Sequence, residues 1–169
     1  VRPKPLKPGD VVRVVAPAGN FDRTLFFRGL DWLSRSFRVR FDSDITKRDG
    51  SFAGTDDRRQ KELNRALACR ESAAIITARG GYGCTRIVEA LDFACAWETP
   101  KWLVGFSDVT ALHLRLQRLG LRSLHGHNVT GLGVGDSEER ERWLAALREE
   151  PSTHVFDLET LYSGSAAGV

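Results

Sequence analysis

The chain has 169 residues, which is enough for one domain with a hydrophobic core. Its 25 basic and 22 acidic residues leave a net charge of only +3, and no nucleic-acid-binding motif accompanies them, so a nucleic-acid partner is not expected. No apolar run reaches the length of a membrane span and no signal peptide opens the sequence, so no membrane partner is expected.

Short β-branched runs alternate with segments of helical periodicity along the chain. The apolar runs predict strands or short extended segments over 10–16, 37–41, 73–78, 102–105, 123–126 and 155–158. Helices are predicted after the capping residues Asp22 and Thr55, and over 85–91, 109–119 and 138–149. Strands that alternate with helices indicate βαβ units, so the predicted fold class is α/β, a mainly parallel sheet flanked by helices.

Cysteine and histidine residues give no clear metal or disulfide signal. The spacings of Cys69, Cys84 and Cys95 fit neither a disulfide framework nor a zinc site, which predicts reduced thiols. On a strand, His125 and His127 would share one face and could hold a metal together, but no third ligand is evident and no metal site is predicted. His113 lies on a predicted helix and is interpreted as a packing residue.

Ser107 lies at the junction between the fourth predicted strand and the next helix. Such a tight turn exposes a hydroxyl at the carboxyl end of a parallel strand, where the first helix N–H groups favour a developing negative charge. The full Gly-x-Ser-x-Gly pattern of a nucleophile elbow is absent, because Val109 occupies the last position. On this pattern alone, a simple helix cap made by Ser107 or Asp108 is the stronger interpretation.

A glycine-rich loop, Arg79-Gly80-Gly81-Tyr82-Gly83, follows the third predicted strand. Glycine tolerates a positive φ and lets the main chain approach a bound group, so the loop could hold a phosphate or donate an N–H to an oxyanion. It matches neither a Walker loop nor a dinucleotide fingerprint, and a purely structural turn is an equal alternative. The flanking residues of Cys84 do not form an elbow, so a cysteine nucleophile is not favoured.

Five segments together resemble the LD-carboxypeptidase family of serine peptidases, family S66, which includes murein tetrapeptide carboxypeptidases and microcin C self-immunity peptidases. The resemblance is ordered and covers nearly the whole chain. The segments are Val-Ala-Pro-Ala at 15–18, Ala-Gly-Thr-Asp-Asp-Arg-Arg with Leu-Asn-Arg-Ala-Leu over 53–67, Ala-Arg-Gly-Gly-Tyr-Gly at 78–83, Val-Gly-Phe-Ser-Asp-Val-Thr-Ala-Leu-His at 104–113, and Leu-His-Gly-His-Asn at 124–128.

The resemblance implies a cytoplasmic serine peptidase that removes the terminal D-alanine from a murein tetrapeptide during peptidoglycan recycling. It implies a Ser-His-Glu triad with Ser107 as the nucleophile, and an oxyanion hole formed by the main-chain N–H groups of Asp108 and Gly81. Arg79, Gly80, Tyr82 and Gly83 would form the substrate-binding loop. No cofactor or metal is implied, and the family suggests a homodimer.

Two departures from the family pattern bear on function. Family members carry the triad Glu and His in a C-terminal domain, so we expect residues 1–162 to form the nucleophile domain, 163–169 to begin an interdomain linker, and this piece alone to be inactive. Gly126-His127 stands where relatives often have Gly-Pro, which leaves open the choice between a murein peptide and a microcin C-like peptide-nucleotide.

Two alternative functions from other classes of protein remain possible from the sequence. The same loops could hold a carboxylate or phosphate in a non-catalytic ligand-binding module, or the chain could be a nucleotide-binding α/β domain. Covalent labelling of Ser107 by a serine-directed probe would favour the enzyme, whereas thermal stabilisation by a nucleotide would favour the nucleotide-binding domain.

Overall fold

The computed structural model describes residues 1–150 and contains a five-stranded, fully parallel sheet in the order β2-β1-β3-β4-β5. The strands are β1 (Val11–Val15), β2 (Arg38–Arg40), β3 (Ser72–Thr77), β4 (Trp102–Gly105) and β5 (Leu124–His125). The helices are α1 (Arg23–Ser34), α2 (Asp56–Ala68), α3 (Cys84–Ile87), α4 (Ala94–Glu98), α5 (Thr110–Arg118), α6 (Val129–Val134) and α7 (Ser137–Arg148). Single 3₁₀ turns cover Val88–Ala90 and Ser107–Val109. The predicted α/β class is therefore confirmed.

Apolar side chains cover both faces of the sheet, as expected for parallel strands that are buried on both sides. Successive residues of β3 alternate between the two faces: Ala74 and Ile76 join one core, and Ile75 joins the other. The first core lies under α1, α6 and α7, and the second lies under α2, α3 and α5. Because all five strands are parallel, their carboxyl ends lie at one common edge of the sheet.

Two predicted helix starts are confirmed by their caps. The side chain of Asp22 accepts a hydrogen bond from Leu25 N at 2.9 Å, and that of Thr55 accepts one from Arg58 N at 3.2 Å. Each cap satisfies a main-chain N–H that has no acceptor within its own helix. The caps therefore define the first residues of α1 and α2, where the chain leaves the preceding loops.

Several predicted elements need correction. The strand predicted over 37–41 is a three-residue edge strand, because it pairs only with β1. The helix predicted over 85–91 is a short α3 followed by a 3₁₀ turn, and helices α4 and α6 were not predicted. The strand predicted over 155–158 lies outside the described residues. None of the helices within residues 1–150 combines the length and apolarity needed to cross a membrane.

Helix α6 packs directly on the main chain of α1. A Cβ placed on Gly29 would overlap the carbonyl of Val129, and one placed on Gly133 would overlap the carbonyl of Leu25. Glycine at these two positions is therefore required for the close approach of the two helices. The contact places α6 beside the carboxyl ends of β3 and β4.

Candidate active site

The glycine-rich loop and the Ser107 turn meet because they follow adjacent parallel strands. β3 and β4 pair with Ile76 opposite Val104, so the chain leaves both strands at the same edge of the sheet. A Cβ placed on Gly80 would lie 2.9 Å from Ser107 Cβ and 3.3 Å from Ser107 Oγ. The structure thus brings the two predicted site loops into van der Waals contact. A side chain at position 80 would clash with the Ser107 turn, so glycine is required there.

Ser107 has a strained main chain and an exposed side chain. Its φ of 64° lies in the left-handed region, which a non-glycine residue seldom adopts. Phe106 before it is extended, and a 3₁₀ turn starts at Ser107 and continues into α5. Strain of this kind persists only where the surrounding structure enforces it, and it is concentrated at functional sites.

Neither Ser107 nor Asp108 caps the helix that follows. No side-chain cap hydrogen bond is made at the start of the 3₁₀ turn or at the start of α5. The carboxylate of Asp108 instead accepts a hydrogen bond from Cys84 N at 2.7 Å, at the first residue of α3. The helix-cap interpretation of the Ser107 turn is therefore wrong for α5.

Two main-chain N–H groups in the loops that meet at Ser107 are the predicted oxyanion donors. Gly81 has a φ of 103° and its N–H donates to no acceptor among residues 1–150. Asp108 N–H belongs to the first turn of a helix, where main-chain N–H groups lack an intrahelical acceptor. An exposed hydroxyl on a strained strand-to-helix turn with such donors nearby is an arrangement suited to acyl transfer.

Residues 79–83 divide between two surroundings. Arg79, Gly80 and Gly81 line a cavity of about 370 Å³ at Ser107. Tyr82 is 55% exposed, and its ring packs 5.9 Å from that of Phe52. Gly83, with a φ of 136°, packs against a guanidinium, so it and Tyr82 lie outside this cavity.

The remaining walls of the cavity come from α1, the Ser107 turn and α6. They are formed by Leu25, Phe106, Ser107, Asn128, Thr130, Gly131 and Val134. Asn128 is the last residue of a segment that resembles the family, and no sequence pattern singles out Thr130 or Val134. This wall was not predicted from the sequence because α6, which carries Thr130, Gly131 and Val134, was not predicted.

Arg59 supports the glycine-rich loop from below. Its guanidinium is fully buried, donates to Pro17 O at 2.5 Å, pairs with Asp56 and lies over the Phe52 ring. Gly83 packs directly on it, so that a Cβ there would overlap the guanidinium. Arg59 therefore joins the loop after β1 to the loop after β3, a role that its position in a resembling segment did not reveal.

The buried thiol and the buried imidazole near Ser107 are both engaged in the fold. Burial, followed by the nearby Asp108 carboxylate, raises the pKa of the Cys84 thiol, so this group stays protonated and is a poor nucleophile. Burial lowers the pKa of His113, which makes hydrogen bonds to Ser123 Oγ at 2.8 Å and Gly105 O at 2.9 Å. His113 is thus a buried structural residue, as expected. The three cysteines are free thiols.

His125 and His127 lie on the same side of the sheet edge, next to Phe106. Their rings are 6.4 Å and 6.3 Å from the Phe106 ring, which is 37% exposed. Within the described part of the chain, no cluster of three or more His, Cys, Asp or Glu side chains could hold a metal ion. The two histidines therefore form an aromatic group with Phe106, which lines the Ser107 cavity.

Removing the Asp108 carboxylate is expected to destabilise the protein. Asp108→Ala would leave the buried Cys84 N–H without its acceptor, which costs about 1–3 kcal/mol of unfolding free energy. Asp108→Asn should lose less, because an amide oxygen can still accept that hydrogen bond. Urea unfolding measures both changes, with Asp31→Ala as the control, since Asp31 forms only an exposed pair with Arg35. Equal stability of Asp108→Ala and the control would contradict this assignment.

Comparison with known proteins identifies the family. The sequence-family model named LD-carboxypeptidase N-terminal domain matches residues 12–126. The chain therefore belongs to the LD-carboxypeptidase family. A Synechocystis sp. protein named as a carboxypeptidase is 37% identical over 150 residues, which are 88% of this chain and 48% of that protein. The murein tetrapeptide carboxypeptidase of Pseudomonas aeruginosa is 37% identical over 100 residues, which are 56% of this chain and 32% of that enzyme.

A solved structure agrees with the sequence comparisons. The crystal structure of an MccF-like protein from Bacillus anthracis superimposes with a TM-score of 0.80 at 26% identity, covering 87% of this chain and 47% of that one. The chain spans about half the length of the first relatives that it matches. The fold is thus that of the N-terminal domain of a larger protein of this family.

Proposed function

We propose that this chain is the nucleophile-bearing part of a serine carboxypeptidase that cleaves an L–D amide bond and releases terminal D-alanine from a murein tetrapeptide. The observation that supports this most is the exposed Ser107 hydroxyl, on a strained turn in contact with Gly80. Membership of a family whose relatives include a murein tetrapeptide carboxypeptidase supports the reaction class.

In the proposed mechanism, Ser107 Oγ attacks the carbonyl carbon of the L–D amide bond. The oxyanion accepts hydrogen bonds from the main-chain N–H groups of Gly81 and Asp108. A histidine takes the hydroxyl proton and passes it to the departing amine of D-alanine, while a glutamate orients the histidine. Water then attacks the acyl-enzyme ester while the histidine takes a proton from it, and the histidine passes this proton to Ser107 Oγ as the ester bond breaks. No cofactor enters this scheme.

The histidine and glutamate of the proposed triad belong to a C-terminal domain that family members carry. His113 is unsuited to be the base, because both of its ring nitrogens are occupied by hydrogen bonds in a buried position. We infer that residues 1–162 form the nucleophile domain, that 163–169 begin the linker, and that the whole enzyme is a cytoplasmic homodimer acting in peptidoglycan recycling.

Release of D-alanine from purified murein tetrapeptide tests this proposal. The full-length protein should release D-alanine and should be labelled at Ser107 by a fluorophosphonate probe. The 169-residue chain alone should show negligible release, because serine without a base is a poor nucleophile at neutral pH. Release by the short chain would contradict the two-domain triad, and a full-length protein that neither releases D-alanine nor is labelled would contradict the proposed peptidase.

A second candidate substrate is a microcin C-like peptide-nucleotide. The likeness to the MccF-like structure favours it. The aromatic group of Phe106, His125 and His127 favours it too, since aromatic rings can stack on a nucleobase and Phe106 lines the cavity. Parallel assays with murein tetrapeptide and an aminoacyl-nucleotide distinguish the two substrates. Nucleotide binding without hydrolysis of either compound would instead indicate a non-catalytic binding module.

A further inference from the structure

We propose that the Arg79 side chain binds the terminal carboxylate of the substrate and so makes the enzyme specific for a free chain end. This inference rests on the proposed carboxypeptidase function and adds the group that recognises its substrate. A carboxypeptidase must distinguish the last peptide bond from internal ones, and the negative charge beyond that bond is the feature that distinguishes it.

The charge of the Ser107 cavity supports a cationic subsite. Among the described residues that line this cavity, Arg79 is the only one with a charged side chain, and the others are apolar or neutral. Arg79 is two residues before Gly81, the proposed oxyanion donor, and it is exposed. An anion that enters the cavity therefore meets one fixed positive charge and no opposing carboxylate from its lining.

The guanidinium of Arg79 is oriented but not neutralised. Its Nη1 donates to Asn20 O at 2.5 Å, and within residues 1–150 no carboxylate lies within 4.0 Å of it. The neighbouring arginines differ, because Arg59 and Arg86 both pair with Asp56. A guanidinium has five N–H donors in a planar fork, so one bond to Asn20 leaves donors for a bidentate contact with a carboxylate.

A second donor lines the same cavity. Asn128 is only 2% exposed, and its Oδ1 accepts hydrogen bonds from Thr130 Oγ1 and Gly131 N, each at 2.9 Å. Those two bonds identify the oxygen, and the amide nitrogen has no partner among the described residues. Thr130 N also donates to Ala78 O, which holds this part of α6 next to the start of the Arg79 loop. The amide nitrogen of Asn128 is thus a neutral donor that complements Arg79.

The experiment compares two substrates that differ only in terminal charge. Full-length wild-type enzyme and Arg79→Gln are assayed with a peptide ending in D-alanine and with its C-terminal amide. Hydrogen bonds to a charged group typically change binding by about tenfold to hundredfold. We expect wild type to prefer the acid by about that factor in kcat/KM, and Arg79→Gln to lose the preference by slowing only on the acid. Arg79→Lys should retain part of it, because it keeps the charge but not the fork.

Arg118→Gln is the matched control, because it removes the same charge from an exposed position at the end of α5. Equal slowing of Arg79→Gln on acid and amide would overturn the proposal and leave Arg79 as a support for the Asn20 loop. Calorimetric binding of both peptides to Ser107→Ala provides a readout that needs no turnover. Tighter binding of the acid, lost in Ser107→Ala/Arg79→Gln, supports the subsite even if the peptidase proposal fails, and equal binding of acid and amide overturns it.

Discussion

Ser107→Ala in the full-length enzyme is expected to lower kcat for D-alanine release by at least about 10⁴-fold, since loss of a serine nucleophile removes the covalent route. The side chain is exposed at the end of β4, so its removal opens no buried cavity and the fold should persist. Binding of murein tetrapeptide should therefore remain close to that of the wild type. Steady-state kinetics together with calorimetric binding measure the two effects separately.

Ser34→Ala is a suitable control for this variant. Ser34 is an exposed residue at the end of α1, and its side chain forms no hydrogen bond within the described residues. It should leave both kcat and binding unchanged. Turnover by Ser107→Ala at the rate of the control would exclude Ser107 as the nucleophile.

Gly81→Ala is the second large effect that we expect, with a fall in kcat of about 10²–10³-fold, the usual consequence of losing one oxyanion-hole donor. The φ of 103° at this position is strained for alanine, and the new Cβ would lie 3.3 Å from Gly19 Cα. The loop would therefore have to rotate, and the Gly81 N–H would turn away from the oxyanion. KM should change much less, because the donor acts on the transition state.

Gly9→Ala separates this effect from simple main-chain strain. Gly9 has a φ of 83°, and a Cβ there would meet no atom within 4 Å. It precedes β1, at the opposite edge of the sheet from Ser107. Both variants should lose unfolding free energy, but only Gly81→Ala should lose kcat. An equal loss of kcat in the two would indicate that Gly81 acts through stability alone.

The sheet could be predicted because its strands are short apolar runs between clear breakers. The bounds of β4 match the predicted 102–105, and the caps Asp22 and Thr55 are local signals that need no tertiary information. Helix α6 could not be predicted, since Gly131 and Gly133 lower its helix propensity and its stability comes from packing against α1. Packing of this kind joins residues far apart in sequence and leaves no periodic pattern.

The candidate site could be predicted only in part, because it too depends on contacts between residues far apart in sequence. Ser107 could be singled out at a strand-to-helix junction, but its positive φ, which argues against a simple helix cap, is set by the tertiary structure. The contact between residues 80 and 107 depends on β3 and β4 being neighbours in the sheet. The resemblance to a family predicted that the two loops act together, whereas the support by Arg59 depends on tertiary contacts that no sequence pattern shows.

The main-chain contact between α1 and α6 makes the two sides of the cavity unequal in their capacity to adapt. One side is fixed, because any side chain larger than hydrogen at Gly29 or Gly133 would push the helices apart. Room for a bulkier substrate must therefore come from the Ser107 turn and from the segment just before α6, where Phe106 is exposed and His127 is partly exposed. Differences in substrate size among relatives should accordingly be accommodated at positions 106 and 125–127, while the glycines of α1 and α6 stay unchanged.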